Sequence, residues 1–178
     1  MTWSPTPSAF TSLIWVSSVT DGSIVILLKS ILHNVGVVLV GFALAYFGTM
    51  ADSFLGFPAV ASTVATAAGW LLVTAGFLLR AWATFHFYRH NMRVISLEPQ
   101  NALITSGPYR FSRNPLYLGG NVFIFFGAAL LLGSPTALFA TALHLPLMDR
   151  FIRREEQQLE RKFGDEWRSY TKRVRRWL

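Results

Sequence analysis

Cysteine is absent from all 178 residues. That excludes disulfide frameworks, Cys-based zinc sites and a thiol nucleophile, and it leaves the redox compartment unread. Charge is scarce as well: only 14% of residues are charged against 52% hydrophobic, with a mean hydropathy of +0.40. This is too apolar for an ordinary soluble domain of the same size, so membrane residence is expected. Acids are few, nine against sixteen Lys and Arg, for a net charge of +7. Such a surplus can serve nucleic acid, but ten of the sixteen lie between Arg150 and Arg176, and Arg89, Arg93, Arg110 and Arg113 fill one stretch between hydrophobic segments. That is the positive-inside pattern of a membrane protein, and no nucleic-acid partner is expected. Residues 1–21 have no basic start, and their apolar part is broken by Thr and Ser. They read as an interfacial or frayed N-terminus, reaching to residue 23, rather than a signal peptide. Neither an internal repeat nor a low-complexity tract is present.

Four apolar segments remain. Residues 24–47 and 59–83 are each long enough to cross about 30 Å of hydrocarbon at about 1.5 Å per residue. Residues 116–132 and 136–148 are shorter. Between them, Gly133-Ser134-Pro135 is a tight turn with proline at a helix start, which predicts an antiparallel helical hairpin over 116–148. Nothing from Asp149 to Phe163 breaks a helix, and Gly164 supplies the stop. The expected architecture is all-α: a single polytopic bundle of about four transmembrane helices, with a linker and loop over 84–115 and a helical extension over 149–178. The arginine-rich linker and tail would share the cytoplasmic side with both termini, and the connection over 48–58, carrying only Asp52, would face the other.

The densest polar cluster is Gly107-Pro108-Tyr109-Arg110-Phe111-Ser112-Arg113-Asn114-Pro115-Leu116-Tyr117-Leu118-Gly119. Asn114 suits an N-cap and Pro115 an N1 position, which by themselves need mean no more than a helix start. With Arg110 and Arg113 beside it, that helix start would also favour a carboxylate or phosphate, a lipid headgroup being the alternative ligand. Arg153-Arg154-Glu155-Glu156 reads equally as a salt-bridged, solvated helix face. Its placement argues for more: Glu155 falls about 30 Å along the last long helix, at the interface where Leu116 begins the third segment. The hairpin therefore brings loop 110–117 and the acidic pair together. His144, His33 and Asn34 fall within spans, where a hydrogen-bonded structural role is the commoner case. His86 and His90 have no nearby carboxylate in the sequence, so no metal is assigned.

Taken in order, Gly107-Pro108-Tyr109-Arg110, Arg113-Asn114-Pro115-Leu116-Tyr117-Leu118-Gly119, Glu155-Glu156-Gln157-Gln158-Leu159, Phe163-Gly164, Trp167, Tyr170 and Val174-Arg175 resemble the isoprenylcysteine carboxyl methyltransferase and phospholipid methyltransferase superfamily over residues 101–176. The resemblance implies an integral membrane enzyme that binds S-adenosylmethionine between the loop and the helix bearing the acidic pair. It implies that Asn101, Ala102, Leu103 and Ile104 hold adenine and ribose. Tyr109 would line the pocket, Arg113, Asn114, Pro115, Leu116 and Tyr117 would surround the methionine portion, and Glu155 with Glu156 would bind the cofactor. Arg150 or Arg153 would position substrate. The implied partners are membrane lipids and a lipidic or prenylated acceptor, with oligomeric state unread; an amine N-methyltransferase or a non-catalytic lipid-binding protein keeping the fold are the alternatives. Two departures stand out: Asn114 replaces the usual His and cannot carry a proton, and the sequence stops soon after the shared positions, with no long tail to build a substrate lid.

Overall fold

The computed structural model describes the backbone of residues 9–90 and 102–178, with side chains from residue 24 onward. It is helical throughout, without strands among the described residues. Helix α1 runs Ala9–Leu55 and α2 Thr63–Arg89. A 3₁₀ turn, Gly107–Arg110, leads to a rod made of α3 (Pro115–Tyr117), a π-helical stretch (Leu118–Ile124) and α4 (Phe125–Leu131). Helix α5 spans Pro135–Phe163 and α6 spans Asp165–Arg173. Two stretches, Ile24–Leu55 and Thr63–Arg89, are long and apolar enough to cross a membrane, and Pro115–Leu131 is a shorter apolar one.

The hairpin forms as its sequence predicts. Gly133 takes φ +61, the Ser134 hydroxyl accepts from Ala137 N at 3.0 Å as the N-cap of α5, and Pro135 occupies its first turn. The helix then continues unbroken to Gly164, whose φ of +52 ends it. Pro146 lies inside α5 without dividing it.

Three boundaries differ from expectation. The backbone of α1 is already helical at Ala9, inside the segment expected to be interfacial or frayed. Helix α2 continues past residue 83 to Arg89, taking the start of the expected linker into the bundle. Asp52, expected in a connecting loop, lies in α1 and is buried. It accepts from the Ser134 hydroxyl at 2.5 Å and from Thr136 N at 2.9 Å, joining the end of α1 to the start of α5. A carboxylate there satisfies a free N–H of a helix N-terminus and meets its positive dipole, which is reason enough for it to leave a loop and turn inward.

Helix α2 packs against the rod with almost no side chain between them. A Cβ on Gly76 would lie 2.5 Å from the Gly119 carbonyl oxygen, and one on Gly127 would lie 2.9 Å from that of Gly69. Glycine is required at these close approaches, as at crossings of helices in lipid. The outward faces are apolar: Leu32, Leu39, Leu71 and Leu78 on α1 and α2, and Phe139, Leu143 and Leu147 on α5, are all at least 60% exposed. Contiguous apolar exposure of this extent suits lipid, not water.

Candidate functional site

The hairpin sets Leu116–Tyr117 of the rod beside the middle of α5. There the Tyr117 hydroxyl donates to Glu155 Oε2 at 2.9 Å, and the two residues form part of the wall of a cavity of about 770 Å³. Tyr109, Arg113, Asn114, Pro115 and Leu116 also line it. Leu32, His33, Gly36, Val37 and Val40 of α1 and Arg80 of α2 also belong to its lining. One cavity thus joins a polar end, at the 109–117 loop and Glu155, to an apolar wall within the first span. Its size falls in the range of small-molecule sites.

Burial raises the Glu155 carboxyl above its ordinary value, and the bond from Tyr117 works against that shift. A half-desolvated carboxylate on a cavity wall favours a cation. The Tyr109 phenol is buried, which pushes its ionisation well above the ordinary range and keeps the proton in place. Its hydroxyl has no hydrogen-bond partner among the described residues. Its own carbonyl is held by the Tyr170 hydroxyl at 2.6 Å, and its ring lies 5.6 Å from that of Phe87. A rigidly placed donor with nothing to donate to is suited to a polar ligand atom, since an unmet buried group is costly.

The remaining motif residues build the floor. Glu156 turns away from the cavity and pairs with Arg176 Nη2 at 2.5 Å and Nε at 3.0 Å. Arg113 Nε lies 3.3 Å from Glu156 Oε1, close enough for an ion pair but without hydrogen-bond alignment. Asn114 is the residue before α3, yet its side chain caps no helix N–H. Its Nδ2 donates instead to Glu156 Oε1 at 3.4 Å and to the Arg176 carbonyl at 3.3 Å. Ser112 Oγ also reaches the Arg176 carbonyl, and Arg113 N donates to that of Arg175. The last residues are thus strapped beneath the loop by both backbone and charge.

Other expected site residues lie elsewhere. Ile104 is buried with Ala83, Phe87 and Tyr109, Ala102 packs on that cluster, and Leu103 packs against Trp167, Tyr170 and Val174. None of the three lines the cavity; they support the loop from behind. Asn101 lies outside the described residues. Arg150 is exposed, and Arg153 is exposed and paired with Asp149 at 2.7 Å; neither lines the cavity. His86 and His90 set Nδ1 against backbone carbonyls one turn earlier, those of Trp82 and His86. His144 lies on a smaller recess with Phe125, Ala137 and Thr141.

Sequence reasoning passed over Arg80. It is the one Lys or Arg inside the apolar run 59–83, and an ionisable group at that depth is a signal in itself. Only 8% of it is exposed. Its Nε donates to Asn34 Oδ1 at 2.9 Å, Nη1 to the Leu116 carbonyl at 2.6 Å and Nη2 to His33 Nε2 at 3.3 Å. Asn34 is held in turn by Ser30 and Thr84, donating to the Ser30 carbonyl at 2.7 Å and to Thr84 Oγ1 at 2.8 Å. The Ser30 and Thr84 hydroxyls are also in contact.

The sequence model of the phospholipid methyltransferase family matches residues 64–166, more than half of the chain and every element from α2 to the start of α6. The chain belongs to the phospholipid methyltransferase family. An uncharacterised protein of Haemophilus influenzae is similar over 50 residues at 46% identity, which is 28% of this chain and 79% of that relative. No solved structure matches. With two helices long and apolar enough to span, this member of a methyltransferase family is a membrane protein. Arg80, Tyr109, Tyr117 and Glu155 all lie inside the matched region.

Proposed function

We propose that the protein is an S-adenosylmethionine-dependent methyltransferase acting on a lipidic acceptor, with the 770 Å³ cavity as its active site. One observation carries this reading. In a methyltransferase family member, a half-desolvated carboxylate, Glu155, and Tyr109, whose hydroxyl is buried behind the surface without a partner, belong to the lining of the same cavity. These groups suit S-adenosylmethionine, which carries an α-ammonium and a sulfonium as well as many acceptor atoms.

Bound there, S-adenosylmethionine would supply a methyl group on a positively charged sulfur, open to in-line displacement. The protein's part is positioning and exclusion of water. Glu155, oriented by Tyr117, holds the α-ammonium. Tyr109 donates to a polar atom of the cofactor. Pro115 and Leu116 fix the wall between cofactor and acceptor, and α1 supplies the apolar side by which a lipid reaches the cavity from the bilayer. Asn114, tied to Glu156 and the tail, moves no proton. The acceptor atom is therefore one already nucleophilic at neutral pH, or one deprotonated by solvent.

In this reading the rod and the first half of α5 complete a bundle of four spans, for which the exposed Phe139, Leu143 and Leu147 are the support. The arginine-rich 102–114 loop, the second half of α5 and both termini face the cytoplasm. Incubating purified protein with methyl-labelled S-adenosylmethionine and a native membrane lipid extract tests the proposal. Label should pass into an extractable lipid; label found in no lipid would contradict it.

A further inference from the structure

Arg80 is a buried guanidinium without a counter-charge. All three of its nitrogens have partners, but these are an amide, a carbonyl and an imidazole. None of the ion pairs among the described residues includes it. Glu155, the acid on the same cavity wall, is bonded to Tyr117 instead. Five N–H groups on a guanidinium leave two beyond the three bonds made. A charge held inside an apolar span at such cost ordinarily has an anion to meet.

The cavity is the open side of this group. Arg80 lines it together with His33, and the neighbouring wall is Leu32, Gly36, Val37 and Val40 of α1. The guanidinium is also fixed in place. Its stem lies on Gly119 and Gly120, where added Cβ atoms would fall 2.8 Å from Arg80 Cγ and 2.7 Å from Nη1. Asn34, anchored by Ser30 and Thr84, fixes its Nε edge. The π-helical turn begins just beyond Leu116, whose carbonyl takes Nη1. Glycines, polar anchors and a widened helical turn together hold one cation against an apolar wall.

We infer that Arg80, assisted by His33, binds the anionic headgroup of an amphiphile, a carboxylate or phosphate whose chain lies along α1, and so sets which acceptor the enzyme takes. The inference rests on the proposed methyl transfer only in naming the amphiphile as acceptor; the anion site stands on its own geometry. The lining residues divide the work, Glu155 for the water-borne cofactor and Arg80, which holds the neighbouring Leu116 carbonyl, for the lipid-borne acid.

Native mass spectrometry of the full-length protein in neutral detergent tests this with four probes: oleate, lysophosphatidate, oleyl alcohol and inorganic phosphate. Wild type should retain the two acids at least about tenfold more tightly than the alcohol, as expected of charge-assisted hydrogen bonds. Arg80→Gln should erase that preference and Arg80→Lys should keep part of it, while S-adenosylmethionine affinity, titrated in parallel, falls less than acid affinity does, because the lost bond to the Leu116 carbonyl reaches the cofactor only indirectly. Equal retention of acid and alcohol by wild type would overturn the inference without reference to any variant, so misfolding of Arg80→Gln cannot shelter it. It is also overturned if Arg80→Gln weakens S-adenosylmethionine instead of the acids, which would assign Arg80 to the cofactor, or if inorganic phosphate displaces oleate at equal concentration. Acid preference in a protein that binds no S-adenosylmethionine would support the anion site and sink the methyl-transfer proposal alone.

Discussion

Tyr117 and Glu155, thirty-eight positions apart, meet through a 2.9 Å hydrogen bond at the mouth of the hairpin. The bond holds the carboxylate against its cavity wall, so Tyr117→Phe should loosen its aim without removing its charge. A weakening of S-adenosylmethionine binding by roughly 0.5–1.5 kcal/mol, about two- to tenfold, is expected. Calorimetric titration of the purified variant would measure it, and unchanged affinity would show that the bond does not orient the site.

The pH dependence follows from the same carboxyl. Burial raises its ionisation above the usual carboxylate range, and a cationic ligand prefers the ionised form. Cofactor affinity should therefore increase as pH rises through the raised folded value and then level off. Stability has the opposite sign. Between the unfolded and folded values the native protein binds the proton more tightly, so this group's contribution falls as pH rises across that window. Glu155→Gln should flatten both dependences, as read by binding isotherms and thermal melts between pH 4 and pH 8.

At the far end of the bundle, Asp52 ties α1 to the start of α5. Asp52→Ala leaves the Ser134 hydroxyl and Thr136 N–H short of a partner, which lowers stability. Melting temperature should fall while cofactor affinity is retained, because the cavity lies at the other end. Loss of affinity at intact stability would contradict this separation.

Arg176 clasps Glu156 and lies 3.5 Å from Asp149, and its carbonyl receives Ser112 and Asn114. Arg176→Ala removes the ion pair and leaves Glu156 half-paired beneath the loop. Faster cleavage at the C-terminal strap under limited proteolysis is expected, with S-adenosylmethionine affinity reduced as loop 112–114 loosens. A digestion pattern identical to wild type would show that the backbone contacts suffice.

Much of this was legible in the sequence because it depends on local signals. Gly133-Ser134-Pro135 and Gly164 fix where the hairpin turns and stops, and helical rise alone puts Glu155 level with Tyr117. What stayed hidden depends on partners distant in the chain. Asp52 resembles a loop acid until α5 brings Ser134 to it, and Asn114 resembles a helix cap until the tail offers the Arg176 carbonyl and Glu156. Arg80 was readable as a charge within an apolar run, but its link to Asn34, His33 and Leu116 requires three elements to be in place. The separation of Glu155 from Glu156 could not be read either, since adjacent helix positions point about 100° apart and only packing decides which of them faces the cavity.

Titration of purified protein with S-adenosylmethionine, wild type beside Glu155→Ala, tests the central claim most directly. Saturable binding by wild type, weakened at least about tenfold in the variant by the loss of a charged partner, with similar melting curves before ligand is added, is the result predicted. No binding by wild type, or equal binding by both, would contradict it.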